Sequence, residues 1–450
     1  MSTTETLTQP PQPRENPALR VGIESFVPTP PKSLEEAGVP PSLVEQLILK
    51  NLYFRGEASG RELARFLGLQ YSVIESVVEF LKTNRLIEAK RSSGFGSIST
   101  SFACSDNGRM RAKEYLEDNR FLGPAPVPLR DYNFAVRRQR VMPGWLSVEM
   151  LRDAFASAVV PNRFYSMFGP AVNSFKTLLI YGAPGNGKTF LAEQLTNIQS
   201  DPIFVPYVIQ AEGQYIKVYD SLYHEKLQEE EESVLLQTEE KYDRRWTRCK
   251  RPFLTTGGEL TMGMLDLMFI PSAKIYDAPY QLKANNGIYL IDDFGRQQLT
   301  PAELLNRWIY PLDRGRDFLQ FNTGSKVEVP FECFLIFSSN LNPNDLGDEA
   351  FLRRLEYKMY MPNPDEQEFA TIFHNYCKKL KIECPMGLLG QVLEKHYART
   401  RRKFRRCHPR DVLNVAVDLI RFEKLPYVLN GDILDRAFEL KFVPLEPMEE

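Results

Sequence analysis

Apolar positions follow two rhythms along this chain. Between residues 40 and 120 they recur at helical spacing: Ile74, Val77, Val78 and Leu81 stand at i, i+3, i+4 and i+7, one face of a helix. Three serines there precede a glutamate by three residues: Ser42 before Glu45, Ser59 before Glu62, and Ser72 before Glu75. Each pair fits a capping box, in which the serine oxygen and the carboxylate satisfy free N–H groups of the first turn. Three helix starts are therefore expected, with Gly68 ending the second helix. Residues 86–90 and 97–102 are β-rich and separated by Ser92, Ser93, Gly94, Phe95 and Gly96, which predicts a hairpin.

The second rhythm is a set of short, unbroken apolar runs at 177–181, 286–291 and 333–337. Such runs fit strands buried on both faces, as in a parallel sheet covered by helices. Between the first two runs, residues 206–219 are β-rich on either side of Glu212 and Gly213, predicting another hairpin. Residues 225–245 are densely charged, from Glu229, Glu230, Glu231 and Glu232 to Arg244 and Arg245, and predict a long helix. Residues 366–446 are helical in pattern throughout. The segment 1–39 is rich in Pro, Thr, Ser and Glu and predicts a flexible tail, since it holds too little apolar surface to order itself. Prolines at 124, 126 and 128 mark a stiff linker over 121–140, which ends in the basic cluster Arg137, Arg138 and Arg140, either a solvated face or a contact to a neighbouring subunit. The expected division is tail 1–39, small domain 40–120, linker 121–140, α/β core 141–365 with an insertion at 206–256, and helical lid 366–446.

Composition narrows the class. The 450 residues carry a formal charge of −2, which argues against a polybasic nucleic-acid binder. No apolar run reaches the roughly 18 residues that span a bilayer, and the N-terminus lacks the basic and apolar regions of a signal peptide. The six cysteines form no CxxC pair and suit a reducing cytoplasm. The four histidines are scattered, without metal-ligand spacing.

The chemistry lies where the apolar runs end. After 177–181 come Gly182, Ala183, Pro184, Gly185, Asn186, Gly187, Lys188 and Thr189, followed by Phe190 and by Leu191, Ala192 and Leu195 at helical spacing. A strand, a glycine loop and a helix in this order form a phosphate-binding P-loop. Glycines admit backbone N–H groups close to phosphate, and the helix N-terminus adds its dipole. Lys188 would reach the β- and γ-phosphates of ATP, and the Thr189 hydroxyl would ligate Mg²⁺. The run 286–291 ends in Asp292 and Asp293. Asp292 is expected to hold the Mg²⁺ ion, and Asp293 to orient and polarise the attacking water. The run 333–337 leads to Asn340, either a bridge between that water and the γ-phosphate or a turn residue.

These motifs together resemble the AAA+ ATPases over residues 140–446. Gly182 to Thr189 resembles Walker A, 288–293 Walker B, and Asn340 sensor 1. Arg353 and Arg354, before a strand-like 357–360, sit where the family carries its arginine finger, with Arg354 preferred. Arg410, in His408-Pro409-Arg410-Asp411, resembles sensor 2 of the lid. The runs 257–261, 282–285, 291–296 and 339–343 resemble bacterial members described as ATPases with chaperone activity. The three helices and hairpin at 40–120 resemble a winged-helix domain. The usual Walker B pair is Asp-Glu; Asp293 is one methylene shorter. The resemblance implies an α/β fold with an AAA+ core, a helical lid and a winged helix. It also implies hydrolysis of Mg-ATP, assembly into a ring, most often a hexamer, and remodelling of a client protein. DNA association is the alternative, and a slow nucleotide switch a third reading. The outward face of the third helix carries Glu75 and Glu79, which would repel phosphate. Tyr215, Ile216 and Lys217 either line the pore of a ring or form a structural ribbon with Tyr215 packed inward.

Overall fold

The computed structural model describes residues 26–92, 97–142, 144–198, 201–228, 241–347 and 349–442. Most of the expected tail lies outside these residues. From Phe26 onward, however, the chain is part of the folded body. The Phe26 ring stands edge-on to Trp246 at 6.0 Å, and the Ser33 side chain caps a short helix, Leu34–Ala37. A few well-placed apolar anchors outweigh the proline-rich composition here.

Helices α1 (Pro41–Arg55), α2 (Gly60–Leu67) and α3 (Tyr71–Thr83) follow. Only α2 starts with the expected capping box, with Ser59 N–H donating to Glu62 at 2.8 Å and Glu62 N–H to Ser59 at 3.3 Å. It ends at Gly68, whose φ of +66° requires a residue without Cβ strain. Helix α1 instead starts on Pro41, whose ring presets helical φ and whose missing N–H is not needed there. Helix α3 starts after Gln70, so Ser72 lies in the first turn rather than capping it. Ile74, Val77, Val78 and Leu81 are buried as the spacing predicts. Strands β1 (Ile87–Ser92) and β2 (Thr100–Cys104) pair antiparallel, and Glu57–Ser59 pairs with the other edge of β2. Helix α4 (Asp106–Asp118) packs back on α1. The body of the expected turn, 93–96, lies outside the described residues.

Helix α5 (Leu129–Arg138) occupies the expected linker, with Tyr132, Ala135 and Val136 buried. Strand β3 (Leu178–Tyr181) leads into α6 (Lys188–Gln194). Strands β4 (Val208–Ala211) and β5 (Gln214–Lys217) form the expected hairpin, turning at Glu212 and Gly213, both at positive φ. Tyr215 is buried, with its ring edge-on to Phe121 at 5.7 Å, and Ile216 is buried too. These two side chains are ribbon core and do not project into a pore. The expected helix 225–245 is not found at its described ends: Lys226 bridges Cys249, and Trp246–Cys249 pairs antiparallel with Ile203–Pro206. At the C-terminal end Asp243 and Arg245 are buried as an ion pair, which holds the chain out of the helix that the charge pattern predicts. Residues 229–240 lie outside the described residues.

Strands β6 (Phe253–Thr256) and β7 (Ile288–Ile291), helix α7 (Pro301–Arg314), the hairpin β8 (Arg316–Gln320) and β9 (Lys326–Pro330), and strands β10 (Phe334–Ser339) and β11 (Tyr357–Tyr360) complete the α/β body. The core sheet is five-stranded and parallel, in the order β6-β7-β10-β3-β11. Its residues alternate between two apolar clusters. Leu179, Tyr289, Ile291 and Phe337 meet Leu304 and Trp308 of α7 on one face. Leu178, Ile180, Leu290 and Ile336 meet Phe164, Phe168 and Leu191 on the other. A parallel sheet covered on both faces is the α/β class that the unbroken apolar runs predict. All five strands point their C-terminal ends the same way, which places their following loops at one edge. Helices α8 (Glu366–Leu380), α9 (His408–Glu423) and α10 (Gly431–Lys441) then form a helical unit with its own core of Phe369, Phe373, Leu413 and Leu434.

Candidate nucleotide site

The loops after β3, β7 and β10 meet at the C-terminal edge of the sheet. Gly182, Gly185 and Gly187 have φ of +146°, +76° and +81°. A Cβ on Gly182 would lie 2.4 Å from the Met361 carbonyl oxygen, so glycine is required to leave the strand this close to the chain after β11. Lys188, only 6% exposed, donates to the carbonyls of Gly182 at 3.0 Å and Ala183 at 3.2 Å, and to Asn340 Oδ1 at 2.6 Å. Burial lowers its pKa from the ordinary value, Asp292 and Asp293 oppose that shift, and Arg405 adds to it.

Thr189 donates its hydroxyl hydrogen to Asp292 Oδ2 at 2.8 Å. Asn340 donates through Nδ2 to Asp293 Oδ1 at 2.7 Å. One asparagine thus touches both the lysine and the second aspartate. Asp293 holds φ +49°, an uncommon conformation for a residue with a side chain, and its N–H donates to Asp292 Oδ1 at 3.0 Å. Gln297 fixes the turn: it donates to the Asp292 carbonyl at 2.9 Å and accepts from Gly295 N–H at 2.8 Å. Gln297 was not singled out from the sequence, where nothing distinguishes it from a surface amide.

The remaining expected residues fall around this centre. Asn186 is buried and donates to Asn363 at 2.9 Å, while its own Oδ1 has no partner among the described residues. Pro184, Gly185 and Phe190 are exposed at the loop and helix start. The donor set fits a phosphate chain with Mg²⁺. The glycine loop leaves room for backbone approach, Lys188 supplies the cation, and Thr189 with Asp292 offers a hydroxyl and a carboxylate. Among the described residues no cluster of three or more His, Cys, Asp or Glu forms a protein-only cage. Mg²⁺ takes one or two protein oxygens beside phosphates and water, the pair that Thr189 and Asp292 offer.

The helical unit reaches the loop through the segment before α9. Cys407 N–H donates to the Gly185 carbonyl at 2.9 Å, and its Sγ lies 2.5 Å from where a Gly185 Cβ would stand. Arg405 pairs with Asn363, the same amide that receives Asn186. Arg406 joins Glu368 of α8 at 2.6 Å and donates to the Val159 carbonyl of the core. Arg410, by contrast, is exposed and paired with its neighbour Asp411 at 3.0 Å. Of Arg405 and Arg410, it is Arg405 whose charge acts on Lys188 in this structure.

Arg353 is exposed, and Arg354 Nε lies 3.7 Å from Asp313. Both line a cleft of about 380 Å³ with Lys176 and Thr177, at the start of β3. Tyr357 pairs with Leu178, the first residue of β3, whereas the glycine loop follows Tyr181, its last. The four-residue strand spans about 13 Å. The two arginines therefore stand at the opposite edge of the sheet from the glycine loop of their own chain.

A family model described as a domain of unknown function (DUF8689) matches residues 365–440, the helical unit. No curated protein matches the chain. Among solved structures, NtrX from Brucella abortus is similar at 14% identity and TM-score 0.38, over 76% of this chain and 62% of that one. The same protein in complex with ATP matches with the same identity and TM-score, over 82% of this chain and 70% of that one. A point mutant of RuvB from Thermotoga maritima matches at 12% identity and TM-score 0.34, over 66% and 70%. This chain thus spans less than two thirds of the first of these structures. Similarities at this level leave the chemistry to be read from this chain's own residues.

Proposed function

We propose that this chain is an AAA+-type ATPase that hydrolyses Mg-ATP at the edge formed by Gly182 to Thr189, Asp292, Asp293 and Asn340. The observation that supports this reading is the convergence of three loops, distant in sequence, on two contacts: Lys188 with Asn340 and Thr189 with Asp292. In this reading the γ-phosphate displaces Asn340 from Lys188 and takes the ammonium as its counter-charge. Thr189 and Asp292 would hold Mg²⁺, which would supply neutralisation of phosphate charge. Asp293 accepts a proton from the attacking water while Asn340 orients it. The new bond joins the water oxygen to the γ-phosphorus, the bond to the β-phosphate oxygen breaks, and ADP and phosphate leave.

The lid gives hydrolysis a mechanical output. Arg405 and Cys407 sense the loop, and Arg406 ties α8 to the core, so a change in phosphate occupancy changes the angle between the two bodies. Arg354, on the far edge of its own sheet, serves the site of a neighbouring copy. Head-to-tail reuse of one contact closes a ring, here proposed as a hexamer. The six cysteines are free thiols, which suits a cytoplasmic setting. The ring works on a macromolecule docked outside the nucleotide site, a client protein in chaperone-like remodelling or a nucleic acid. A surface pocket lined by Arg137, Arg138, Arg140, Arg314 and Arg316 favours the nucleic acid. Phosphate release from Mg-ATP tests the reaction: wild type should turn over and Asp293→Asn should bind ATP yet slow by ~10²-fold or more. Equal rates would place the base elsewhere.

A further inference from the structure

A pocket of about 400 Å³ opens on the surface between α5, α7 and β8. Five guanidinium groups line it. Arg137 and Arg138 come from the last turn of α5, and Arg140 from just beyond it. Arg314 ends α7, and Arg316 starts β8. Helix C-termini attract cations, which accounts for one arginine at each helix end. It does not account for five on one concavity of a chain whose formal charge is −2.

Counter-charge is scarce there. Arg316 pairs with Glu328 at 3.2 Å. Arg137, Arg138, Arg140 and Arg314 have no carboxylate within 4.0 Å among the described residues, and all four are exposed. Glu332 is the one acidic lining residue. Burial raises its pKa, against the pull of Arg140 and Arg137. The pocket therefore presents an excess of planar, fork-shaped donors, the geometry that pairs bidentately with phosphate.

Aromatic rings interleave with the arginines. Phe134, one turn before Arg137 and Arg138 on α5, lines the pocket and is 59% exposed. Tyr310 precedes Arg314 by four residues on α7, so both fall on one helix face. Phe318 follows Arg316 by two residues, on the outward face of β8. Tyr310 and Phe318 are exposed, and their rings stand 5.2 Å apart. An acidic peptide would need the cations alone. Cations alternating with exposed rings match a strand whose phosphates and unstacked bases both need partners.

We propose that this surface binds single-stranded nucleic acid, with the arginines on the phosphates and Phe134 stacked on a base. The surface is separate from the nucleotide site, and only its use by the motor rests on the ATPase reading. The test is fluorescence anisotropy of labelled dT20 and rU20 with the full chain at several salt concentrations, without nucleotide. Tight binding of one or both strands is expected, with the same affinity in Lys188→Ala, so failure of the ATPase reading would not mask it. The triple variant Arg137→Ala, Arg138→Ala, Arg140→Ala should weaken binding at least tenfold and lower the log–log salt slope by about 2, given roughly 0.7 per phosphate contact. The Phe134 ring stands edge-on to Phe26 at 6.3 Å; Phe134→Leu removes the ring while keeping an apolar side chain there, and should weaken binding roughly fivefold or more. Arg399→Ala, an exposed arginine of the lid, should change nothing. No binding of either strand overturns the proposal. So does binding that the triple variant leaves intact, tighter binding of duplex than of single strands, or equal competition by poly-glutamate.

Discussion

Asn340 lies between Lys188 and Asp293, its Oδ1 2.6 Å from the ammonium and its Nδ2 2.7 Å from the carboxylate. In the proposed reaction this one amide would couple the phosphate-binding lysine to the aspartate that would activate water. Removing it should slow turnover by roughly 10-fold or more, because orientation and not affinity is lost. Asn340→Ala is expected to keep ATP affinity within about threefold while phosphate release falls. A proportional loss of affinity and rate would make Asn340 a binding residue instead.

Arg354 stands across the sheet from its own glycine loop, which makes a role within one chain geometrically unfavourable. Turnover per subunit should rise with protein concentration as copies associate. Arg354→Ala should lower turnover without weakening ATP binding; a finger of this kind is worth ~10³–10⁵ in rate. Mixing inactive Lys188→Ala with inactive Arg354→Ala should restore some activity, since a mixed ring can set an intact loop against an intact finger. A silent mixture that co-assembles by light scattering would shift the role to Arg353.

Arg245 and Asp243 form a buried pair, 4% and 3% exposed, at 2.8 Å. Arg245 also donates to the Ala37 carbonyl at 2.7 Å, joining the N-terminal helices to the core. Arg245→Ala strands a buried carboxylate and should cost roughly 3–5 kcal/mol. The measurement is the urea midpoint of the first unfolding transition. A shift equivalent to less than about 1 kcal/mol would mean the N-terminal helices are held by apolar contact alone.

The strand and glycine-loop signals were legible because each is local: a buried run followed by its own loop residues is read within about ten positions. The two aspartates and Asn340 share that property, and the structure brings both beside Lys188 and Thr189. The lid contacts were not legible. Asn363, Arg405 and Cys407 meet the loop from far along the chain, and no spacing rule links them. The helix starts divide the same way. Ser59 and Glu62 form their box, but Pro41 and Gln70 set the other two starts through backbone geometry that the serine pattern does not encode.

His408 opens α9 beside the loop contact, with its Nδ1 3.1 Å from the Tyr397 hydroxyl. Burial lowers its pKa to about 4, helped by Arg402 and Arg405. The ring is neutral in the folded helical unit. As pH falls below the ordinary value of 6.5, the unfolded chain takes a proton that the folded one refuses, so stability is lost until about pH 4. His408→Gln should flatten this acid loss in thermal melts between about pH 7 and pH 4.5. An unchanged pH profile would show that other groups carry the acid sensitivity.

The central claim is that the glycine loop, Lys188 and the Thr189–Asp292 pair bind Mg-ATP. Calorimetric titration of Mg-ATP into wild type and into Lys188→Ala tests it most directly. Wild type should bind with an affinity that falls when Mg²⁺ is chelated, and Lys188→Ala should show no measurable heat of binding. Unchanged affinity in Lys188→Ala, or no binding by a folded wild-type chain, would contradict the account.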